Sequence, residues 1–243
     1  MKHGSAILGS LGMLAGFAAA SPAYAQYRER PVLFDGLRSK TPTVVQASWN
    51  APVALDALPA GVRSKIAKIV QAPTLSTHAP GEEFPASLYD WLLDHPDRVA
   101  LAWRRLGVPC VGITNHGDGT FGWTDGQGSD LTWQTVWRGP AGRIWLAEGQ
   151  ARPGPHLPLV PVRAVAVLRC SKRRESDGRT FVTHEVDVYM QTDSKAAALI
   201  TKLMGPAAPR LAAQGAEQLL LFFSGIGRHL EAHPDETLTL LRS

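Results

Sequence analysis

One histidine in this 243-residue sequence is placed for acid–base or ligand chemistry. His184 lies in a strand-like segment and shares its face with Val182, Val186 and Val188, so its imidazole is expected on an apolar surface. A histidine there can anchor a ligand or transfer a proton. The alternative is a core histidine whose hydrogen bonds are satisfied within the protein.

Glu148 is the second candidate for chemistry. It alternates with apolar residues such as Ile144, so the pattern allows it to point inward, where burial raises a carboxyl pKa. The opposite assignment places Trp145 and Ala147 inside instead. If both candidates point inward, Glu148 and His184 form an acid/base pair of the kind that a cyclase or hydrolase uses.

Other catalytic and metal-binding signatures are absent from the sequence. It contains no phosphate-binding loop, no dinucleotide-binding glycine motif, no serine hydrolase elbow and no His-Glu-x-x-His motif. Asp118, Asp125 and Asp130 lack the spacing of a calcium loop. Cys110 and Cys170 are too few for a cysteine-rich zinc site and are read either as a disulfide or as buried free thiols. We therefore expect no metal and no cofactor.

The first 25 residues have the pattern of an export signal. Lys2 precedes a short apolar run from Ala6 to Ala20, and the Ala23–Ala25 tripeptide is an A-x-A cleavage site. The sequence therefore predicts a periplasmic or secreted protein, with an uncleaved anchor as the alternative. No later segment is apolar for long enough to span a membrane, so no stable membrane insertion is expected after cleavage.

The charge balance argues against a nucleic-acid partner. The chain has 25 Lys and Arg against 21 Asp and Glu, and cleavage removes only Lys2. The dense basic run Lys172–Arg174 falls in a predicted hairpin loop, where a solvated turn is the simpler interpretation. The excess of Lys and Arg over Asp and Glu is too small for the basic surface that a nucleic-acid-binding domain has.

Helical patterns precede the strands. Residues 26–72 combine a proline-containing arm with an amphipathic helix at about 55–70. Residues 85–107 predict two short helices, the first with a Ser87/Asp90 capping box.

Six strand patterns then follow between residues 108 and 192, each bounded by turn residues. Alternation gives the sheet one apolar face, with Leu131, Trp133 and Trp137 assigned to the same side. A helical stretch from 194 to about 233 is interrupted by prolines, and residues 236–243 are expected to be a tail. The predicted fold is α+β: a curved antiparallel sheet of six to seven strands that grips a long C-terminal helix.

This order of elements resembles the START-like superfamily, also called SRPBCC or Bet v 1-type, whose members have a helix-grip fold. The resemblance covers residues 73–235 and rests on element order. It implies a cavity between sheet and helix that holds an apolar ligand, and some members are enzymes. No catalytic residue set carries over, because the chain has no matching motif.

The sequence therefore favours an exported binding protein for an apolar or amphipathic, lipid-like small molecule. The alternatives are a scaffold with a filled core, and an enzyme that uses Glu148 and His184. Small side chains on the apolar face would leave room for a ligand. The expected ligand-binding residues are Trp133, Ala164, Ala166, His184, Met190 and Phe222.

Overall fold

A computed structural model describes residues 49–125, 128–152, 159–193 and 207–242. The predicted export signal and the arm at 26–48 lie outside the described residues and stay predictions. Among the described residues, no helix combines the length and apolarity needed to cross a membrane.

The fold is α+β, as predicted, with a curved, unclosed antiparallel sheet. In the described part of the chain, seven strands pair in the order β1-β7-β6-β5-β4-β3-β2, so every neighbour from β2 to β7 is also a neighbour in sequence. Hairpin turns make such neighbours antiparallel. The strands are β1 (Leu75–Pro85), β2 (Ile113–Gly117), β3 (Thr120–Thr124), β4 (Asp130–Gly139), β5 (Gly142–Ala151), β6 (Val160–Arg174) and β7 (Thr180–Thr192).

The described residues form five α-helices around the sheet. The two short helices before the strands and the long helix after them are present as predicted, and the long helix is described from residue 207. The helices are α1 (Ala60–Gln71), α2 (Tyr89–Asp94), α3 (Pro96–Arg105), α4 (Ala207–Ala232) and α5 (Thr237–Leu241).

The inner face of the sheet packs against α4. Its strands point Ala164 and Ala166 of β6 and Val186 and Val188 of β7 into one buried cluster, together with Phe222 and other apolar residues of α4. Burial of such a face is the main favourable term in folding. The predicted assignment of this face is therefore confirmed.

The outer face is also buried at its centre, which the one-sided interpretation of the sheet missed. Ile66 and Ile69 of α1 pack there against Val165, Val167 and Tyr189. The signal is the unbroken apolar run 164–168 in β6, because a strand buried on both faces loses its polar alternation.

Three local predictions were wrong. A register irregularity between Thr135 and Trp137 turns Trp137 to the outer cluster, away from Leu131 and Trp133. The N-cap of α2 is Leu88, without a side-chain hydrogen bond, so no capping box forms. The expected tail at 236–243 contains α5, whose Leu240 is buried in the inner cluster.

Candidate functional site

The inner face has two ends that differ in chemistry. The hairpin end is next to the β6–β7 turn and contains His184, Cys170 and Arg143. The notch end lies further along the same strands and contains Ala147 and Ala164. Helix α4 runs between them: Phe223 stacks on Trp145, with ring centroids 5.9 Å apart, and Gly227 packs beside Ala86 near the hairpin end.

His184 is buried at the hairpin end with a hydrogen-bond partner. Its Nδ1 is hydrogen-bonded to the hydroxyl of Tyr89, the first residue of α2, and its ring packs edge-on against Phe84 with centroids 4.9 Å apart. Burial, assisted by the positive charge of Arg228, lowers the pKa of His184 to about 3. The imidazole is therefore neutral at physiological pH and ties β7 to α2.

The backbone of β1 leaves room for this histidine by using glycine. A Cβ built on Gly81 would lie 2.0 Å from the carbonyl oxygen of His184 and 2.2 Å from its ring. Gly81 falls within the irregularity of β1 between Pro80 and Glu83. Close backbone approach of this kind requires a residue without a side chain.

Arg143 is the second buried polar group of the hairpin end. Its Nε and Nη2 donate to the two carboxylate oxygens of Asp94 at 2.9 and 3.2 Å, and Nη1 donates to the carbonyls of Gly139 and Gly142. A buried guanidinium with this many partners joins α2 to the sheet and has little capacity left for a ligand.

The two cysteines are free thiols that are half-buried in the inner cluster. Burial raises the pKa of Cys110 to about 11 and that of Cys170 to about 12. Thiols in this state are weak nucleophiles, because the thiolate is the reactive form.

Glu148 points away from the inner face. Its carboxylate accepts from Nζ of Lys65 in α1 at 2.7 Å and lies 3.8 Å from Nε of Arg163. Trp145 and Ala147 of the same strand occupy the inner cluster instead. The period of a strand thus places Glu148 and His184 on opposite faces, and the proposed acid/base pair does not form.

The notch end has small side chains where a sheet core usually has large ones. Ala147 pairs with Ala164, Trp145 with Ala166, and Gly149 with Val162 across β5 and β6. Ala147, Gly149, Ala164 and Ala166, hereafter the notch, therefore adjoin one another. Gly149 is required locally, since a Cβ there would lie 2.1 Å from the carbonyl oxygen of Asp130.

Aromatic rings form the rim of the notch. Trp133 is the cross-strand partner of Ala147 and stacks on Phe121 with centroids 5.6 Å apart. On the other side of Ala164 its cross-strand partner is Met190, a half-buried and flexible side chain. These side chains offer a large apolar contact surface.

A second, smaller apolar cluster lies beside the notch. It consists of Ala151, Val160 and Val162, which share the sheet of the main inner cluster. Met190 packs against both clusters and links them.

The indole of Trp123 is a buried polar group two strands away from Gly149 of the notch. Its side chain is 6% exposed and lies in the inner cluster, in the same cross-strand row as Leu131 and Gly149. Its indole Nε1 is buried and has no hydrogen-bond partner among the described residues. A buried N–H without an acceptor is costly, and a bound molecule with an acceptor atom would remove that cost.

The predicted ligand-binding residues divide between the two ends. Ala164, Ala166, Trp133 and Met190 lie together at the notch. Phe222 is buried on α4, where its carbonyl accepts from the Trp103 indole at 2.9 Å. His184 is at the hairpin end and is engaged with Tyr89, so it does not belong with the others.

Trp123 and Gly149 were not among the predicted ligand-binding residues. No sequence signal shows whether an indole N–H finds a partner. The register across β3, β4 and β5 aligns Trp123, Leu131 and Gly149 in one cross-strand row, and register depends on turn geometry. Among the described residues, no group of three or more His, Cys, Asp or Glu is arranged to hold a metal ion.

Comparison with known proteins does not identify a family for this chain. No family model matches the chain, and no curated protein matches it. A conserved protein from Geobacillus kaustophilus is 12% identical with a TM-score of 0.32, covering 61% of this chain and 92% of that one. An uncharacterised protein from Rhizobium leguminosarum is 16% identical with a TM-score of 0.29, covering 61% of this chain and 96% of that one.

Proposed function

We propose that this protein binds an apolar or amphipathic small molecule between the notch and the N-terminal half of α4. The observation that carries the proposal is the indole N–H of Trp123, which is buried in an apolar cluster and has no acceptor within the described ranges. Binding sites for small molecules are mostly apolar, with a few polar groups that fix the orientation of the ligand.

Trp123 is more informative than the other buried polar atoms that lack a partner. Asp97 and Arg228 have further side-chain atoms in ion pairs, and Tyr189 packs on the outer face. A threonine hydroxyl such as that of Thr77 can rotate, whereas an indole N–H has one fixed direction. Within the part of the chain that the structure describes, Trp123 combines a fixed, unpaired donor with a place in the cross-strand row of Gly149.

Small residues on α4 support the same location. Phe223 stacks on Trp145, and the helix continues from there toward the notch end with Ala216, Ala213 and Ala212, all buried. Ala216 shares the inner cluster with Ala147, Ala164 and Ala166, and side chains this small fill less of the layer between helix and sheet than branched residues do. An apolar guest in such a layer binds favourably where it fills empty volume, because empty volume in a core costs stability.

Organic extraction of the purified protein, followed by mass spectrometry, tests the proposal first. We expect a co-purifying apolar molecule, or saturable binding of an added one with a change in tryptophan fluorescence. The Trp123→Phe variant should lose most of that fluorescence change. The control is Trp91→Phe, because Trp91 is exposed on α2 and stacks on His95.

A folded protein that binds none of a panel of apolar compounds would contradict the proposal and favour the scaffold interpretation. The enzyme interpretation has lost its geometric basis, because Glu148 and His184 lie on opposite faces. The export signal stays a prediction that N-terminal sequencing of the mature protein would test.

A further inference from the structure

We infer that the bound molecule is uncharged where it meets the notch and that it presents a carbonyl or ether oxygen to the indole N–H of Trp123. This inference rests on the proposed function and specifies its ligand class. It follows from which side chains the strands turn toward the notch and which they turn away.

Strand alternation moves charge away from the notch. Glu148 and Arg163, which flank the alanines along β5 and β6, point to the outer face. There Glu148 forms ion pairs with both Arg163 and Lys65. Asp187 of β7 also lies outside, where it pairs with His78 and Arg169. The described charges of these strands beside the notch are thus neutralised on the far side of the sheet.

The inner neighbours of the notch are uncharged. Cross-strand pairing surrounds its four residues with apolar and aromatic side chains, which are Leu131, Trp133, Trp145, Val162, Val188 and Met190. A carboxylate or phosphate buried there would need a cation to offset its lost hydration. The buried cation of the inner strand face, Arg143, is at the hairpin end and is bound to Asp94.

The indole N–H of Trp123 determines which kind of ligand atom can face it. An indole N–H only donates, so its partner must be an acceptor. A pure hydrocarbon would fill the notch and leave the N–H unpaired, whereas an ester, ketone or ether fills it and supplies the acceptor. The preferred ligand is therefore a neutral, mostly apolar molecule with an oxygen acceptor near its buried end.

Three probes of similar length separate these classes: methyl decanoate, decanoate and undecane. Binding is measured by native mass spectrometry and by tryptophan fluorescence at pH 7.5, where decanoate is ionised. We expect methyl decanoate to bind about tenfold more tightly than undecane, as one hydrogen bond to a buried donor allows. Decanoate should bind more weakly than the ester.

Trp123→Phe tests the assigned atom. The variant should bind methyl decanoate about five- to tenfold more weakly and leave the affinity for undecane within about twofold, because the hydrocarbon makes no hydrogen bond. Trp91→Phe should change neither affinity. The undecane measurement separates the loss of the N–H from the smaller volume of the phenyl ring.

The outcomes distinguish the two proposals. Tighter binding of decanoate than of its ester, or ester binding that Trp123→Phe leaves unchanged, would overturn the neutral-acceptor inference while the binding function stands. Failure of all three probes to bind would overturn both. Preference for the ester that disappears in Trp123→Phe supports both.

Discussion

The two ends of the inner face contain buried polar groups in opposite states. At the hairpin end His184 is bound to Tyr89, and Arg143 is bound to Asp94 and two backbone carbonyls. At the notch end the indole N–H of Trp123 has no partner among the described residues. The polar groups of the hairpin end are therefore satisfied within the protein, whereas the notch end has a donor that a ligand can use.

The difference shows why burial alone does not identify a site. His184 is the more conspicuous residue in the sequence, and it is 3% exposed. Its partners explain it fully as a structural link between β7 and α2. Trp123 resembles an ordinary core aromatic until its N–H is considered, because a buried polar group without a partner calls for an explanation.

The largest expected effect concerns the hairpin end. Arg143→Met should lower the free energy of unfolding by about 3–5 kcal/mol, since two buried carbonyls would lose their donor and Asp94 would keep only its longer ion pair with Arg138. Urea denaturation measures it. Lys65→Met, which removes an exposed ion pair with Glu148, should cost less than about 1 kcal/mol. Equal losses of stability for the two variants would contradict the expectation that the buried contacts of Arg143 stabilise the fold more than an exposed ion pair does.

The pH dependence of stability should depend on His184. Its folded pKa of about 3 lies below the unfolded value near 6.5, so between these values the unfolded state binds the extra proton. Stability is therefore fully present above about pH 6.5 and falls as pH decreases. The expected contribution is roughly 3 kcal/mol lost by pH 4.

His184→Gln provides the comparison, because glutamine keeps a hydrogen-bonding group and does not titrate. Thermal unfolding of both proteins from pH 7 to pH 4 should give a shallower loss of stability for the variant. Parallel curves would show that His184 is protonated or solvated in the folded protein, contrary to its placement here.

Enlarging an alanine should distinguish a filled region from an open one. Ala100 of α3 and Ala164 of the notch are both buried. Ala100→Leu should cost about 1–3 kcal/mol through overpacking. Ala164→Leu should cost clearly less, because the notch has room for the added carbons, and it should abolish ligand binding. Similar losses of stability would mean that the notch is already filled.

A small stabilising effect is expected at Thr77 of β1, whose buried hydroxyl has no partner among the described residues. Thr77→Val replaces it with a methyl group of the same shape. The change should raise the free energy of unfolding by about 1 kcal/mol, since an unsatisfied hydroxyl is removed. A loss of stability in denaturant melts would indicate an undetected partner, such as bound water.

Much of this fold was predictable from the sequence. Hairpin turns and period-two alternation placed β3 to β7, and Pro96 marked the start of α3, because these signals are local. The side of the sheet that α1 covers was not predictable from the helix itself. The sequence evidence for burial of the outer face was the unbroken apolar run 164–168 of β6, because a strand buried on one face only would alternate with polar residues.

The site was less predictable for a physical reason. Ala164 and Ala166 were expected at the ligand, and register places them at the notch. Glu148 had two equally allowed orientations, and only packing of α1 on the outer face decides between them. The missing partner of Trp123 depends on the positions of every neighbouring acceptor, which no local pattern specifies.

The indole resonances in ¹H–¹⁵N NMR spectra, with Trp123 assigned through Trp123→Phe, report directly on whether a ligand accepts from this N–H. Added methyl decanoate should move the Trp123 signal downfield, as a new hydrogen bond forms. The Trp103 signal, whose N–H already donates to Phe222, should stay in place. A Trp123 resonance that does not move at saturating ligand would show that the bound molecule makes no hydrogen bond to this indole.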